Sequence, residues 1–415
     1  MAKREKLSVE PYKGVRDFYP EEFAFMQYLS ATWRVVCERY GYVEYSTSIL
    51  EPAELYRAKG AANEELSNEQ TYTFVDRGGR EVTLRPEMTP SVARLVAGKH
   101  RELGYPLRWY SVQNFFRYER PQHGRLREFW QLNFDIFGSH SHAADAEVIE
   151  VSHAMMLALG ATQDDFVIKV GSRNFLDALV RELGLGEEAA KKLRMFLDRR
   201  AKMPHGEFER ELADLGVAAE LISPEKVPAD VADVLAMLKE RGVTNAVFDP
   251  SIVRGFDYYS GVVFELFDTD QGNPRSLCGG GRYDNLLDLF SDEKLPAVGA
   301  AAGDATLQHF LSSRGLLPEY MPPTKVYLAT TSPALVKEAA ALADELRKQN
   351  VATAIDFGEK KLGDQIKAAA KHGIPYLVVV GENELQSSEF VVRDLATGKE
   401  EKRSRAELAS LFLTL

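Results

Sequence analysis

The 415-residue sequence has only two cysteines, Cys37 and Cys278, and lacks any apolar run of the length that a membrane span requires. Two distant thiols form neither a disulfide framework nor a metal site, and a reducing cytoplasm suits them. A spanning helix needs about 20 mostly apolar residues, and no apolar stretch follows the charged N-terminus as it would in a secretory signal. The sequence therefore predicts a cytoplasmic protein without a membrane segment.

Neither a GxxxxGK[ST] loop nor a GxGxxG fingerprint occurs, so phosphate binding of the P-loop or Rossmann kind is excluded. A basic excess is also lacking, because 62 Asp and Glu outnumber 51 Lys and Arg and the net charge is −11. A general nucleic-acid coat would be basic, whereas one specific RNA partner remains compatible with this charge. Residues 325–415 are neutral, so that segment would not repel a polyanion.

Hydrophobic spacing predicts an antiparallel sheet framed by helices in the first part of the chain. Apolar residues recur at helical intervals over 20–40 and 143–159, and we interpret both stripes as core-facing. Strand-like runs lie between these two helices, separated in one place by a turn pattern at 76–79. The predicted strands are 71–75, 81–84, 107–117 and 129–137.

The later part of the chain changes its pattern twice. Residues 173–243 are charged and helical in spacing, which predicts a helical insertion before strand patterns return in 245–303. Three prolines in 316–324 are typical of a linker, and strands alternate with helices after it, as in a small parallel α/β domain. The sequence thus predicts two domains, 1–323 and 324–415.

Arginines are concentrated in residues 116–131, FRYERPQHGRLREFWQ. Aromatic residues flank them, which favours partly buried guanidinium groups over a fully solvated hairpin tip. A buried arginine requires an anion, and its planar fork suits phosphate or carboxylate. Arg117 and Glu119 are two residues apart and would share one face of a strand. Such a pair can hold a phosphate and its magnesium ion together.

Two further clusters lie in the returning strand region, VRGFDYYSGVVFE at 253–265 and CGGGRYD at 278–284. In the first, Arg254 precedes two consecutive tyrosines, which we expect to face opposite sides of a strand. In the second, three glycines would let a ligand approach the backbone closely. A tight turn explains that second motif equally well when it is taken alone.

Together these clusters resemble the histidyl-tRNA synthetases, a branch of the class II aminoacyl-tRNA synthetases. The likeness begins at KGVRDFYP (13–20), includes LRPEMT (84–89), and reaches PAVG (296–299), which opens motif 3. FRYERPQHGR resembles motif 2, RGFDYY and GGGRYD resemble the two histidine-specific motifs, and residues 325–415 resemble the anticodon-binding domain. The resemblance implies an α+β catalytic domain on an antiparallel sheet. It also implies a ligase that activates histidine with ATP and transfers it to tRNA(His).

The resemblance further implies a set of contacts to ATP and its magnesium ion. Arg117 and Arg254 would lie on opposite sides of the α-phosphate and carry catalysis. Arg125 would reach the terminal phosphates, and Glu119 would lie near the adenine or the metal. Gln122 would contact the acceptor end of the tRNA.

A second set of residues is implied for histidine itself. Glu87, Thr89 and Gln131 would hold the ammonium group. Asp135 and Tyr259 would contact the imidazole, and a carboxylate that accepts its N–H selects histidine by a polar contact. The complete predicted pocket is Glu87, Thr89, Gln131, Asp135, Tyr258, Tyr259, Gly279 and Tyr283.

Two positions depart from the family pattern. Ser48 stands where motif 1 usually has a proline of the homodimer interface, and Thr306 stands where motif 3 has an arginine on the ATP tail. The alternatives are a non-catalytic paralogue, such as the regulatory subunit of ATP phosphoribosyltransferase, and a histidine- or tRNA-binding sensor. The remaining site residues and the anticodon-binding region favour the enzyme. Arg125 or His123 would then cover the triphosphate in place of the missing arginine.

Overall fold

The computed structural model describes residues 7–58, 69–120, 124–200, 203–204, 206–253, 258–270, 272–291, 294–357 and 360–413. The chain divides after Pro318 into two compact units. Each unit has a hydrophobic core of its own. The division lies within the proline-containing segment 316–324.

The first unit has eleven strands in its described ranges. They are β1 Val43–Glu44, β2 Leu50–Pro52, β3 Tyr72–Val75, β4 Glu81–Leu84, β5 Leu107–Phe116, β6 Glu128–Phe137, β7 Phe166–Ser172, β8 Ala246–Phe248, β9 Val262–Asp268, β10 Ser276–Arg282 and β11 Ala297–Gly303. Its described α-helices are α1 Pro20–Arg39, α2 Glu54–Arg57, α3 Thr89–Ala97, α4 His142–Ala158, α5 Arg173–Glu182, α6 Glu187–Arg199, α7 Glu207–Asp214, α8 Ala229–Glu240 and α9 Asp304–Ser313.

Eight of these strands form one large sheet in the order β1-β5-β6-β11-β10-β9-β7-β8, and β2-β4-β3 form a small one. The pairs from β5 across to β7 are antiparallel. The two edge pairs, β1 with β5 and β7 with β8, are parallel. The predicted antiparallel sheet is therefore confirmed, with parallel edges that strand periodicity does not reveal.

Strand alternation separates the two faces of the large sheet. On β6, Leu132, Phe134 and Ile136 are buried in the main core together with Trp33 of α1 and Ile149 of α4. Successive side chains of a strand point to opposite faces. The odd-numbered positions from 131 to 135 therefore face away from that core, on the side where polar residues can form a pocket.

The described residues from 173 to 240 contain helices joined by turns and no strand. These helices do not form a single cluster. Helices α5, α6 and α7 have a small core of their own, which includes Leu193 and Leu212. Helix α8 instead packs Val231 and Leu238 into the main core. Helix α5 also contacts the sheet, since the ring of Phe175 lies 6.1 Å from that of Phe248 on β8.

The second unit combines five strands and four α-helices in its described ranges. They are β12 Val326–Thr330, α10 Val336–Lys348, β13 Thr353–Ile355, α11 Leu362–Lys371, β14 Tyr376–Val380, α12 Glu382–Ser387, β15 Glu389–Asp394, β16 Glu400–Ser404 and α13 Arg405–Leu413. The strand order is β13-β12-β14-β15-β16. The first three strands are parallel, as the alternation of strands and helices predicted, and β15 and β16 form an antiparallel hairpin. Across the described part of the chain, no helix combines the length and apolarity that crossing a bilayer demands.

A buried ion pair connects the end of β10 to helix α4. Arg282 places Nη2 2.6 Å from Oδ2 of Asp145, and the two side chains are 7% and 1% exposed. The same guanidinium group donates to the carbonyl oxygens of Ser139 and Ser141. Because burial removes water from both ions, each depends on the other for its solvation. The arginine of the GGGRYD motif is therefore a structural residue.

Asp145→Ala should lower the free energy of unfolding by about 3–5 kcal/mol, because it removes the closest carboxylate from a buried guanidinium group and leaves it with the less buried Asp284 at 3.3 Å. Urea unfolding followed by circular dichroism measures the loss. Asp344→Ala is the matched control, since it breaks an exposed ion pair with Arg347 and should cost less than about 1 kcal/mol. Equal, small effects of the two substitutions would contradict the anchoring role of Asp145.

Candidate active site

A polar pocket lies on the face of the large sheet that is turned away from the main core. Strands β6 and β11, the start of α3 and the segment before β9 supply most of its walls. The lining residues are Glu87, Thr89, Arg117, Gln131, Asn133, Asp135, Tyr258, Tyr259, Tyr283, Gly299, Ala300 and Ala301. Eight of these twelve were predicted as site residues from the sequence, so distant motifs meet in one cavity.

Asp135 is a buried carboxyl group at this pocket. The side chain is 5% exposed, and Oδ1 accepts a hydrogen bond of 2.5 Å from the Tyr283 hydroxyl. Burial raises the pKa of Asp135 to about 7, while the Tyr283 bond acts in the opposite direction. Near neutral pH this group can therefore be either a hydrogen-bond donor or a charged acceptor.

The space for this carboxyl group depends on glycine in the neighbouring strand. Gly299 on β11 is paired with Asp135, and a Cβ at Gly299 would lie 1.9 Å from Oδ1. Gly280 on β10 is constrained in turn, since its Cβ would lie 2.1 Å from the carbonyl oxygen of Gly299. The glycines at 280 and 299 thus permit close contact within the protein itself. Gly279 is paired with Ala301 on β11 and is not among the lining residues.

Oxygen acceptors converge near the start of α3. The Tyr258 hydroxyl donates to Oε2 of Glu87 at 3.1 Å and lies 3.4 Å from Oγ1 of Thr89. The Tyr56 hydroxyl donates to the backbone carbonyl of Glu87 at 3.1 Å and fixes this segment. With Gln131 lining the same cavity, a carboxylate, a hydroxyl and an amide are available to an ammonium group.

Tyr258 and Tyr259 do not face opposite sides of a strand, so that prediction is wrong. Strand β9 begins only at Val262, and both tyrosines lie in the irregular segment before it. Their ring centroids are 4.8 Å apart, and both side chains line the pocket. Strand alternation does not apply to residues that precede the strand.

Arg117 lies just beyond β5 and is held by two contacts. Its Nε donates to the carbonyl oxygen of Pro86 at 2.9 Å, and its guanidinium group lies over the Phe129 ring at 5.1 Å. Burial lowers the pKa of Arg117, while the charges of Glu87 and Glu119 act to raise it. The guanidinium fork is thus oriented in advance, as anion binding requires.

The sequence predicted that Glu119 and Arg117 would share one face of a strand, and that prediction is wrong. Strand β5 ends at Phe116, and the amide of Glu119 donates to the carbonyl oxygen of Arg117 at 2.8 Å in a tight turn. The Glu119 side chain is 12% exposed, and its Oε2 lies 3.4 Å from Nη1 of Arg125. Its buried Oε2 accepts no hydrogen bond from the residues that the structure describes. A carboxylate oxygen of this kind fits a hard cation.

Three predicted residues, Arg254, Gln122 and His123, lie outside the described residues, and their roles stay predictions. Asn133 was missed, although its place between Gln131 and Asp135 on the same strand face could have revealed it. The β11 residues at 299–301 were also missed. Their contribution depends on the pairing of β11 with β6, which sequence patterns do not specify.

Family models and known relatives match most of this chain. A family model described as histidyl-tRNA synthetase matches residues 14–205 and 204–307, and one described as anticodon binding domain matches 325–415. The chain is 39% identical over 417 residues to the histidine–tRNA ligase of Leptospira biflexa, covering 95% of both chains. It is 35% identical over 418 residues to that of Thermoplasma volcanium, covering 95% of this chain and 96% of the relative.

The fold is also found in solved structures. The crystal structure of histidyl-tRNA synthetase from Nostoc sp. PCC 7120 superimposes with a TM-score of 0.84 at 24% identity. The match covers 99% of this chain and 100% of that one. The antiparallel sheet with its polar pocket, together with a second unit that matches an anticodon binding domain, agrees with the class II aminoacyl-tRNA synthetases. The chain belongs to the histidyl-tRNA synthetase family. The predicted fold class and the predicted function, that of a histidine–tRNA ligase, are confirmed.

The raised pKa of Asp135 predicts how stability depends on pH. The folded state binds this proton more tightly than the unfolded chain does, since the pKa is about 7 when folded against a reference of 3.8. The stabilisation is therefore complete below about pH 4 and is lost as the pH rises through about 7. Between these limits, the unfolding free energy of the wild type should fall relative to Asp135→Asn, by at most about 4 kcal/mol.

Urea unfolding of both proteins at a series of pH values measures this difference. Tyr283→Phe removes the hydrogen bond that opposes the shift, so it should extend the decline to higher pH. A constant difference between the wild type and Asp135→Asn would show that this carboxyl group does not titrate in the window.

Proposed function

We propose that this pocket converts histidine and ATP to histidyl-adenylate, and that the second unit helps to place tRNA(His) for the transfer. One observation carries the proposal: a buried carboxyl group at Asp135 and an oriented guanidinium group at Arg117 line the same cavity. The first group suits an imidazole N–H, and the second suits a phosphate. A ligand with histidine at one end and a phosphate at the other matches both.

In the proposed complex, histidine is oriented by its two polar ends. Its ammonium group would bind to Glu87, Thr89 and Gln131, whose oxygens are acceptors. Its imidazole would contact Asp135 and Tyr259, with the remaining wall formed by Tyr258 and Tyr283. An analogue without the ring N–H would give the buried Asp135 no donor beyond the Tyr283 hydroxyl, and a lost polar contact of this kind is the basis of strong discrimination.

Activation needs positioning rather than a general base, because the histidine carboxylate is already a nucleophile. One of its oxygens attacks the α-phosphorus of ATP, the bond to the bridging oxygen breaks, and pyrophosphate leaves. Two anions must approach each other for this step, so the arrangement depends on fixed positive charge. Arg117 would supply it on one side of the α-phosphate, and we propose Arg254 for the other side.

ATP is proposed to enter as its magnesium complex. Magnesium is usually held by one or two carboxylates together with the phosphates of the nucleotide. Glu119, whose Oε2 is buried without a hydrogen bond from any described residue, fits the role of such a ligand. Arg125 lies beside it and would reach the terminal phosphates.

The second step would transfer histidine to the tRNA. A ribose hydroxyl at the 3′ end attacks the carbonyl carbon of the adenylate, and AMP leaves with the electrons of the cleaved bond. We propose that Gln122 contacts the acceptor end. Residues 325–415, which match the anticodon binding domain, would bind the anticodon.

A homodimer built on the face around β1 completes the proposal. Val43, Ile49 and Leu50 expose apolar surface there, and an adjoining cavity of about 520 Å³ is bordered by Tyr45 and Trp130. A second copy would cover this surface. Neither cysteine forms a disulfide bond with any residue that the structure describes, and both are buried, so we propose the reducing cytoplasm as the site of action.

The activation step can be measured by the exchange of labelled pyrophosphate into ATP. Exchange should require histidine, and Arg117→Ala should slow it roughly 10²–10³-fold, because a preorganised charge in the transition state is lost. Arg347→Ala in the second unit is the control and should retain the wild-type rate.

Exchange supported equally by several amino acids would contradict the histidine specificity. Histidine binding without any exchange would instead favour the non-catalytic paralogue.

Removing the chain after Pro318 should separate the two steps. The remaining unit retains its own core, so histidine-dependent exchange should stay within about three-fold of the full chain. Charging of tRNA should fall by roughly 10²–10⁴-fold, because a second tethered binding site is lost. Equal charging by the two forms would show that the second unit does not bind the tRNA.

A further inference from the structure

Thr306 lies in the first turn of α9, where the family pattern has an arginine on the ATP tail. The start of this helix is firmly held. Asp304 is fully buried, pairs with Arg16 at 2.5 Å and accepts a hydrogen bond from the amide of Trp130 at 3.0 Å. The acidic side chain beside Thr306 is therefore compensated, and a phosphate nearby would not face an unpaired carboxylate.

Arg275, just before β10, extends into the space beside Thr306. Its Cδ and Nε lie 2.9 Å and 3.2 Å from the point that a Cβ on Gly124 would occupy. Cγ2 of Thr306 lies 3.7 Å from the same point. The two side chains therefore approach one location from different segments, Thr306 from helix α9 and Arg275 from the residues before β10. Gly124 adopts a positive φ of 71° there, so it avoids both the strained backbone and the clash.

Arg275 also shares its electrostatic surroundings with the phosphate-binding candidates. Burial lowers the pKa of Arg275, the charge of Arg125 lowers it further, and the charge of Glu119 acts to raise it. Glu119 lies 3.4 Å from Arg125, and none of the residues that the structure describes forms an ion pair with Arg275. One carboxylate thus faces two guanidinium groups, which leaves an excess positive charge for an anion.

A purely structural role explains the position of Arg275 less well than a ligand-binding role does. Arginine is costly to bury without an anionic partner, and the nearby carboxylate of Glu119 already has Arg125 beside it. The half-buried Arg275 side chain is instead suited to a ligand that arrives from solution. A polyphosphate is the anion that fits the proposed binding of ATP in the neighbouring pocket.

We propose that Arg275 binds the β- and γ-phosphates of ATP and supplies the charge that Thr306 does not. This inference rests on the proposed binding of ATP beside Arg117. It assigns the ATP tail to the segment before β10, in addition to Arg125 of the motif 2 region. Arg275 is then a substrate-binding residue whose effect is confined to ligands that carry a phosphate tail.

Calorimetric titration of the full-length protein with ATP and with AMP tests the assignment. Arg275→Ala should weaken ATP binding by about ten- to a hundred-fold, because a charge-assisted contact is removed. AMP lacks the β- and γ-phosphates, so its affinity should stay within about two-fold of the wild type. The KM for histidine in pyrophosphate exchange should also be unchanged. Arg80→Ala, on an exposed hairpin turn of the same unit, is the matched control.

A charge restored at the other side chain provides a second test. Thr306→Arg added to Arg275→Ala should recover at least part of the lost ATP affinity. Unchanged ATP affinity in Arg275→Ala, an equal loss for ATP and AMP, or no recovery in the double variant would overturn the inference. A wild-type protein that binds ATP but shows no exchange would refute the proposed function alone, since the binding comparison still decides the role of Arg275.

Discussion

The burial of the Asp135 carboxyl group is the constraint on which the pocket depends. Asp135 is retained there only because Tyr283 donates a hydrogen bond to it and because Gly299 leaves the space that its oxygen occupies. Removal of either feature would leave the free-energy cost of burying an acidic group uncompensated. The surrounding strands are therefore restricted in composition for electrostatic as well as steric reasons.

Strand β6 serves both the core and the site. Its even-numbered residues from 132 to 136 lie in the main core with helices α1 and α4, while its odd-numbered residues from 131 to 135 line the pocket. A shift of one residue in the pairing would exchange these two sets, and ten paired positions with β5 hold the register. The apolar residues that stabilise the unit thus also determine which polar side chains line the pocket.

Periodicity was sufficient to predict several strands and helices, because each depends on local spacing, as the helix Pro20–Arg39 and the strand Glu128–Phe137 illustrate. Family motifs indicated most of the pocket residues. Contacts between distant segments were not predictable. Gly299 matters through its pairing with β6, and Arg275 through its approach to Gly124. The exact onset of β9 likewise decided where the consecutive tyrosines lie.

Arg282 and Tyr283 are adjacent in sequence but belong to different networks. Arg282 is fixed to helix α4 through Asp145, whereas Tyr283 is bonded to Asp135 in the pocket. A single peptide link therefore joins the residue that anchors helix α4 to the residue that bonds the buried carboxyl group of the pocket. The anchoring of the sheet to α4 and the wall of the pocket thus share one stretch of backbone, so the stability of this unit and the order of the pocket are coupled at residues 282–283.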